Sequence, residues 1–207
     1  MNRINFNQGW KFQKQGTEQW QAVDLPHDAM IHEARDPESP GGAAAGFFPG
    51  GVYVYEKTFS APAEWREQVV TFEFEGVYKN SQVYLNEQAA GGAPYGYTRF
   101  FVPAGPFLRY GEENTIRVTA DNAQLPNSRW YSGSGIYRPV SLWVQNRTHI
   151  ALDGVRVSTR SCSPAQILVE IQSNGGEITV EILDGDSVIA SGSGPALEFT
   201  LPNARLW

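Results

Sequence analysis

The chain has 207 residues, 41% apolar and 13% aromatic, enough to pack a core for one large or two smaller domains. Its formal charge of -6 includes no Lys/Arg cluster that would form a basic stripe, so nucleic acid and anionic membrane surfaces are not expected partners. The single cysteine, Cys162, excludes an intrachain disulfide and a thiolate metal cluster.

Met1 to Asn7 hold no apolar run of signal-peptide length, and no stretch approaches the roughly 18 apolar residues a membrane span needs. With a lone cysteine, this makes the cytoplasm the expected location. Helical periodicity is nearly absent, whereas short alternating runs rich in β-branched and aromatic residues recur between Gly, Pro, Asn and Asp, the pattern of an all-β protein. In chain order, residues 31–51 come first as a long aperiodic loop, and loops of that length are usually functional or mobile. Strands are then predicted at 52–59, 69–74, 81–85, 98–102, 115–119 and 140–144, with a short helix at 62–66, where proline suits a first turn. In Thr71-Phe72-Glu73-Phe74-Glu75 the phenylalanines point to one face and the glutamates to the other, as in a sheet that is wet on one side. Turns are expected at 85–87, 90–92 and 110–114.

The texture changes between 145 and 152, where a second series of predicted strands begins: 154–158, 166–172, 177–183, 187–191 and 196–201. Asp184-Gly185-Asp186 makes a tight hairpin between two of them. A domain boundary is expected there, giving 1–146 and 147–207. The second unit has the length of a truncated immunoglobulin-like sandwich.

Asn127-Ser128-Arg129-Trp130-Tyr131-Ser132-Gly133-Ser134-Gly135-Ile136-Tyr137-Arg138-Pro139-Val140 resembles the R-W-x-x-G-x-G-I-Y-R-x-V segment that closes the N-terminal sugar-binding domain of family 2 glycoside hydrolases. Phe6 to Phe12, Val23 to Asp28, Gly51 to Phe59, and the core from Phe74 through Val83-Tyr84-Leu85-Asn86 to Gly96-Tyr97 agree in order. The tail from Leu201 to Trp207 is similar to the end of that family's immunoglobulin-like domain. The resemblance implies a jelly-roll β-sandwich followed by an incomplete immunoglobulin-like β-sandwich, cut before the catalytic TIM barrel. It also implies a β-galactosidase-like parent that retains anomeric configuration, with β-glucuronidase and β-mannosidase sharing the layout. No catalytic residue is expected in this chain, because the acid/base and the nucleophile, carboxyls about 5 to 5.5 Å apart, belong to the barrel.

The expected partners are therefore the barrel of the parent chain, through it a β-linked carbohydrate, and a second copy of the chain. A stand-alone carbohydrate-binding module and an adhesion protein of tandem β domains are the rival readings. No cofactor is expected. Asn86-Glu87 has the form of a barrel acid/base pair but follows a strand at a turn, where Asn tolerates a left-handed backbone. Asp28 either contacts substrate at the barrel mouth or caps a turn, and His27 either meets a sugar hydroxyl or satisfies a backbone carbonyl. Arg129, Trp130 and Tyr131 either touch sugar, by guanidinium fork and ring stacking, or pack the domain against the barrel. His32 and His149 have no partners at metal-ligand spacing. Ser128 stands near where the best-known β-galactosidases carry an acidic residue that touches substrate and a metal ion, so no metal site carries over. Phe47-Phe48-Pro49-Gly50 is either a carbohydrate platform or a loop anchor, and Asn146-Arg147-Thr148 is read as a chance sequon.

Overall fold

Residues 1–201 and 204 are described by the structure, a computed structural model of the chain. The chain is all-β and divides into two units, Met1–Gln145 and Asn146–Trp207.

The first unit is a jelly-roll sandwich of two antiparallel sheets. Its strands are β1 (Asn2–Asn5), β2 (Trp10–Lys14), β3 (Gln21–Val23), β4 (Val52–Ala61), β5 (Gln68–Phe74), β6 (Ser81–Leu85), β7 (Gln88–Ala93), β8 (Phe100–Pro103), β9 (Glu112–Asp121) and β10 (Val140–Asn146). One sheet runs β1-β10-β5-β8 and the other β3-β2-β4-β9-β6-β7. Alternation fills the space between them. Trp10, Tyr53, Tyr55, Ile116 and Leu85 enter from the larger sheet, and Phe72, Phe74 and Leu142 from the smaller. Phe6 meets Trp10, Phe59 and Phe72 edge-on at 5.9, 5.2 and 5.0 Å, and the Trp10 indole N–H donates to the Phe6 carbonyl at 2.8 Å, so the largest core ring has no unpaired polar atom.

Several elements depart from expectation. Strands β1, β2, β3 and β7 add to the expected set, and the strand expected at 98–102 is displaced to β8, Phe100–Pro103. The turn expected at 90–92 lies within β7, where a β-carbon on Gly92 would come 2.1 Å from the Ser81 carbonyl oxygen. Glycine there permits close strand approach instead of a reversal. The reversal is two residues long, at Asn86 and Glu87, both left-handed at φ 48° and 69°, as a tight hairpin requires. The helix expected at 62–66 is a 3-10 turn, Ala63–Glu67, with Pro62 preceding it.

The outer face of the smaller sheet is also drier than the alternation suggested. Glu73 is only 2% exposed. Arg3 and Arg99 reach its carboxylate at 3.3 and 3.2 Å, the Trp143 indole N–H donates to it at 2.8 Å, and the Arg3 guanidinium lies over the Trp143 ring. Long cationic side chains with apolar stems have covered that face.

The second unit is the immunoglobulin-like β-sandwich. Its strands are β11 (Ile150–Cys162), β12 (Ala165–Ser173), β13 (Thr179–Asp184), β14 (Ser187–Ser193) and β15 (Ala196–Leu201). They form the sheets β11-β12-β15 and β13-β14. Val169, Ile171 and Phe199 centre its core, with Ile167, Val180, Ile182 and Leu197 packed around them. Gly185, at φ 60°, turns the β13–β14 hairpin between the paired residues Asp184 and Ser187. β11 is longer than predicted because shifts in its register with β12 break the alternation. Residues 177 and 178 precede β13. Apart from Leu201 and Ala204, the tail that resembles a domain end lies outside the described residues.

Candidate functional site

Two irregular segments of the first unit, 27–30 and 131–136, run side by side. The His27 amide donates to the Ile136 carbonyl and the Ala29 amide to the Ser134 carbonyl, each at 2.8 Å. Asp28 lies between these two bonds. Its Oδ1 accepts from the amides of Met30 at 3.1 Å and Ser134 at 3.0 Å, and its Oδ2 accepts from the Tyr131 hydroxyl at 2.7 Å. The Met30 bond is the local turn cap, and the other two fasten the second segment to the first.

The glycines of the motif make this closeness possible. A β-carbon on Gly133 would stand 2.9 Å from Asp28 Oδ2, and one on Gly135 would stand 2.1 Å from the Tyr55 hydroxyl. Both residues have positive φ, 69° and 104°. Beneath them, the fully buried Asn122 donates to the Gly133 carbonyl at 3.1 Å and to Ser134 Oγ at 2.7 Å, and it accepts from Asn127 at 2.6 Å.

The four residues singled out by sequence therefore separate into a tied pair and an outward pair. Asp28 and Tyr131 hold each other, and the Tyr131 ring packs on buried Phe48 at 5.1 Å. Phe48 anchors the long loop, with Ser39 Oγ donating to its carbonyl at 2.7 Å, while Phe47 is 39% exposed. Burial raises the Tyr131 pKa, and the hydrogen bond to Asp28 raises it further, so the phenol stays protonated and donating. Trp130 is 59% exposed, and its indole N–H donates to the Tyr97 hydroxyl at 3.1 Å. Tyr97 in turn meets the rings of Tyr78 and Tyr95 at 5.2 and 5.6 Å. Arg129 is exposed and makes no hydrogen bond or ion pair among the described residues. Chemically, the fastened loop offers a free guanidinium and an indole face to whatever approaches it.

His27 serves the scaffold. Its Nδ1 pairs with the Tyr55 hydroxyl at 2.8 Å, and its ring packs on Phe12 at 4.5 Å and stacks with His32 at 6.1 Å. Burial lowers its pKa, His32 lowers it further, and Asp28 opposes both. As pH falls below the ordinary value of 6.5, the unfolded chain takes up this proton before the folded chain does. The stability that rests on neutral His27 is thus complete above that pH and declines as pH drops toward the folded value. Thermal unfolding followed between about pH 7 and pH 5 should show a falling midpoint, with a shallower slope in His27→Gln; equal slopes would contradict this assignment.

Glu33 is occupied as well, by the Tyr53 hydroxyl at 2.6 Å and Lys14 at 2.7 Å, so neither it nor Asp28 is placed as a free acid or base. The Asn86 side chain is bound inside its hairpin by the Phe107 carbonyl, Asn114 and the Thr115 amide. His149 donates from Nδ1 to the Arg147 carbonyl at 3.0 Å. Among the described residues, no three carboxylate, imidazole or thiol groups converge as a metal ion would require. Sequence reasoning missed Asn122, Ser134 and the Glu33–Tyr53 pair. The one signal that pointed toward them was the pair of glycines, since a loop that turns so tightly needs buried polar anchors.

No family model matches the chain. A β-galactosidase of Bacteroides ovatus is 38% identical over 179 residues, which is 82% of this chain and 21% of that protein. A β-glucuronidase of Bacteroides fragilis is 27% identical over 92% of this chain and 29% of its own length. The solved structure of a glycosyl hydrolase family 2 member from Bacteroides cellulosilyticus superposes with a TM-score of 0.82 at 25% identity, over all of this chain and 31% of that one. The chain thus spans between a fifth and a third of the length of these relatives. From the shared two-sandwich fold, the R-W-x-x-G-x-G-I-Y-R motif and these relatives together, the chain belongs to glycoside hydrolase family 2.

Proposed function

We propose that this region is the non-catalytic support of a retaining β-glycosidase, acting on β-galactosides, whose chemistry resides in a barrel outside the chain. Its 129–131 loop shapes the rim of the sugar pocket. The observation that carries this reading is the fastening of Asp28 to Tyr131 and Ser134, which fixes the loop while leaving Arg129 and Trp130 turned outward with unused binding capacity. A loop meant only to close the jelly roll has no need of a free guanidinium beside an exposed indole. Asp28 and Tyr131 are positioning residues here, and Arg129 and Trp130 are the contact residues. The name of the Bacteroides ovatus relative supports galactose as the sugar.

A second reading, β-glucuronidase, is favoured by Arg129 itself, since a guanidinium forks onto a uronate carboxylate more strongly than onto hydroxyls. The name of the Bacteroides fragilis relative points the same way. The test is steady-state kinetics of the full-length enzyme with nitrophenyl β-galactoside and nitrophenyl β-glucuronide. Turnover of the galactoside, with Arg129→Ala lowering kcat/KM about tenfold, is the expected result. Turnover confined to the glucuronide moves the assignment to the second reading. Unchanged constants in both Arg129→Ala and Trp130→Ala would remove the loop from the pocket.

A further inference from the structure

The outward face of the larger sheet carries a groove of about 870 Å³ that shares no residue with Asp28 or the 129–131 loop. Its floor follows from strand alternation. Trp10 and Phe12 on β2, Tyr53 and Tyr55 on β4, Ile116 and Val118 on β9, and Val83 and Leu85 on β6 all turn into the core. The residues between them therefore face out. Register lines these up in two rows, Lys11-Glu56-Arg117-Tyr84 and Gln13-Val54-Thr119-Gln82.

In the first row one carboxylate serves two cations. Glu56 takes Lys11 on Oε1 at 2.8 Å and Arg117 on Oε2 at 2.9 and 3.1 Å. This leaves Arg117 Nη1 with no partner among the described residues, and the same holds for the Gln13 amide and the Tyr84 and Thr119 hydroxyls. Trp20, 38% exposed with Lys11 Nζ 4.7 Å from its ring centroid, bounds one end, and Tyr84 lies toward the other. Along the walls Glu56 and Glu87 offset Arg109 and Arg117, and Lys11 at the Trp20 end leaves a single net positive charge, too little to hold a polyanion. Three strand spacings separate β2 from β6, about 14 Å, which is room for roughly two to three sugar rings.

We infer that this face is a second carbohydrate site, binding a short neutral oligosaccharide with Trp20 and Tyr84 as aromatic stacking platforms and Gln13, Thr119 and Arg117 as hydrogen-bonding floor. Uncharged polyols present both an apolar C–H face and a hydroxyl edge. They match a groove that combines ring faces, unsatisfied amide and hydroxyl groups and little net charge. The inference does not depend on what the 129–131 loop contacts or on which sugar the parent enzyme cleaves.

The test is calorimetric titration of the 207-residue chain with neutral di-, tri- and tetrasaccharides from β-1,4-galactan, xylan and cellulose. Saturable binding of at least one series is expected, with Kd near or below about 1 mM. Trp20→Ala should weaken it about tenfold, Tyr84→Phe and Gln13→Ala by smaller factors, and Trp130→Ala not at all. Should Trp20→Ala disturb folding, as read by far-UV circular dichroism, Tyr84→Phe and Gln13→Ala carry the test alone. No saturation up to about 20 mM with any series would overturn the proposal. So would affinity indifferent to the groove substitutions, or substitutions that change only the sedimentation of the chain, which would make the groove a protein interface. Trp130→Ala separates this outcome from that of the loop: sugar binding lost there alone would count for the loop and against the groove.

Discussion

Gly135→Ala should lower the unfolding free energy of the chain by about 3 kcal/mol or more. Two costs coincide. At φ 104° the backbone is in a region that side chains with a β-carbon rarely enter, and the new carbon would sit 2.1 Å from the hydroxyl of Tyr55 and 3.2 Å from the His27 carbonyl. Tyr55 is fully buried, so the ring cannot swing aside, and its hydroxyl is held by His27 Nδ1. The backbone pairing of residue 135 with Tyr78, at 2.9 and 3.0 Å, must shift instead. Tyr55→Phe in the same chain removes the clashing oxygen but not the backbone strain, so it should recover part of the loss. Urea unfolding of both single variants and the double variant measures this coupling. Additive effects would mean that the clash with Tyr55 does not set the cost.

The joint substitution of Arg3 and Arg99 by methionine should cost about 3 kcal/mol, because it leaves the Glu73 carboxylate buried with the Trp143 indole N–H as its one remaining close donor among the described residues. The arginines themselves are half exposed, 47% and 49% by side chain, and would lose little alone. Their value lies in the carboxylate they cover, which is 3% exposed by side chain. Glu73→Gln combined with both methionines removes the buried charge and should restore most of the stability. If the double variant unfolds within about 0.5 kcal/mol of the parent, Glu73 is not held by these two cations.

Glu73 also marks where strand alternation misleads. Thr71-Phe72-Glu73-Phe74-Glu75 alternates, and its phenylalanines do enter the core. The glutamates then fare differently, because Arg3, Arg99 and Trp143, distant in sequence, close over Glu73. Periodicity reports which side a residue faces and is silent on what covers that side.

The long strands β4 and β9 could be read from sequence because they carry alternating core residues at 53, 55, 116, 118 and 120. β3 and β7 could not, since each has mostly exposed, small or polar residues and exists through pairing with β2 and β6. In the loops, turn chemistry identified Asn86, and the glycines at 133 and 135 marked a tight turn. That Asp28 and Tyr131, 103 positions apart, would share a hydrogen bond was invisible to any local pattern. Asn122 was hidden for the same reason, because a buried amide is recognisable only once the carbonyls it serves are in place.

The division of labour is tested most directly by incubating the 207-residue chain alone with nitrophenyl β-galactoside. With Asp28 and Glu33 both committed to holding loops and Asn86-Glu87 used as a hairpin, release of nitrophenol should match that of buffer alone. A rate that rises in proportion to chain concentration, and survives repurification, would contradict the account by placing a working pair of carboxylates within these two sandwiches.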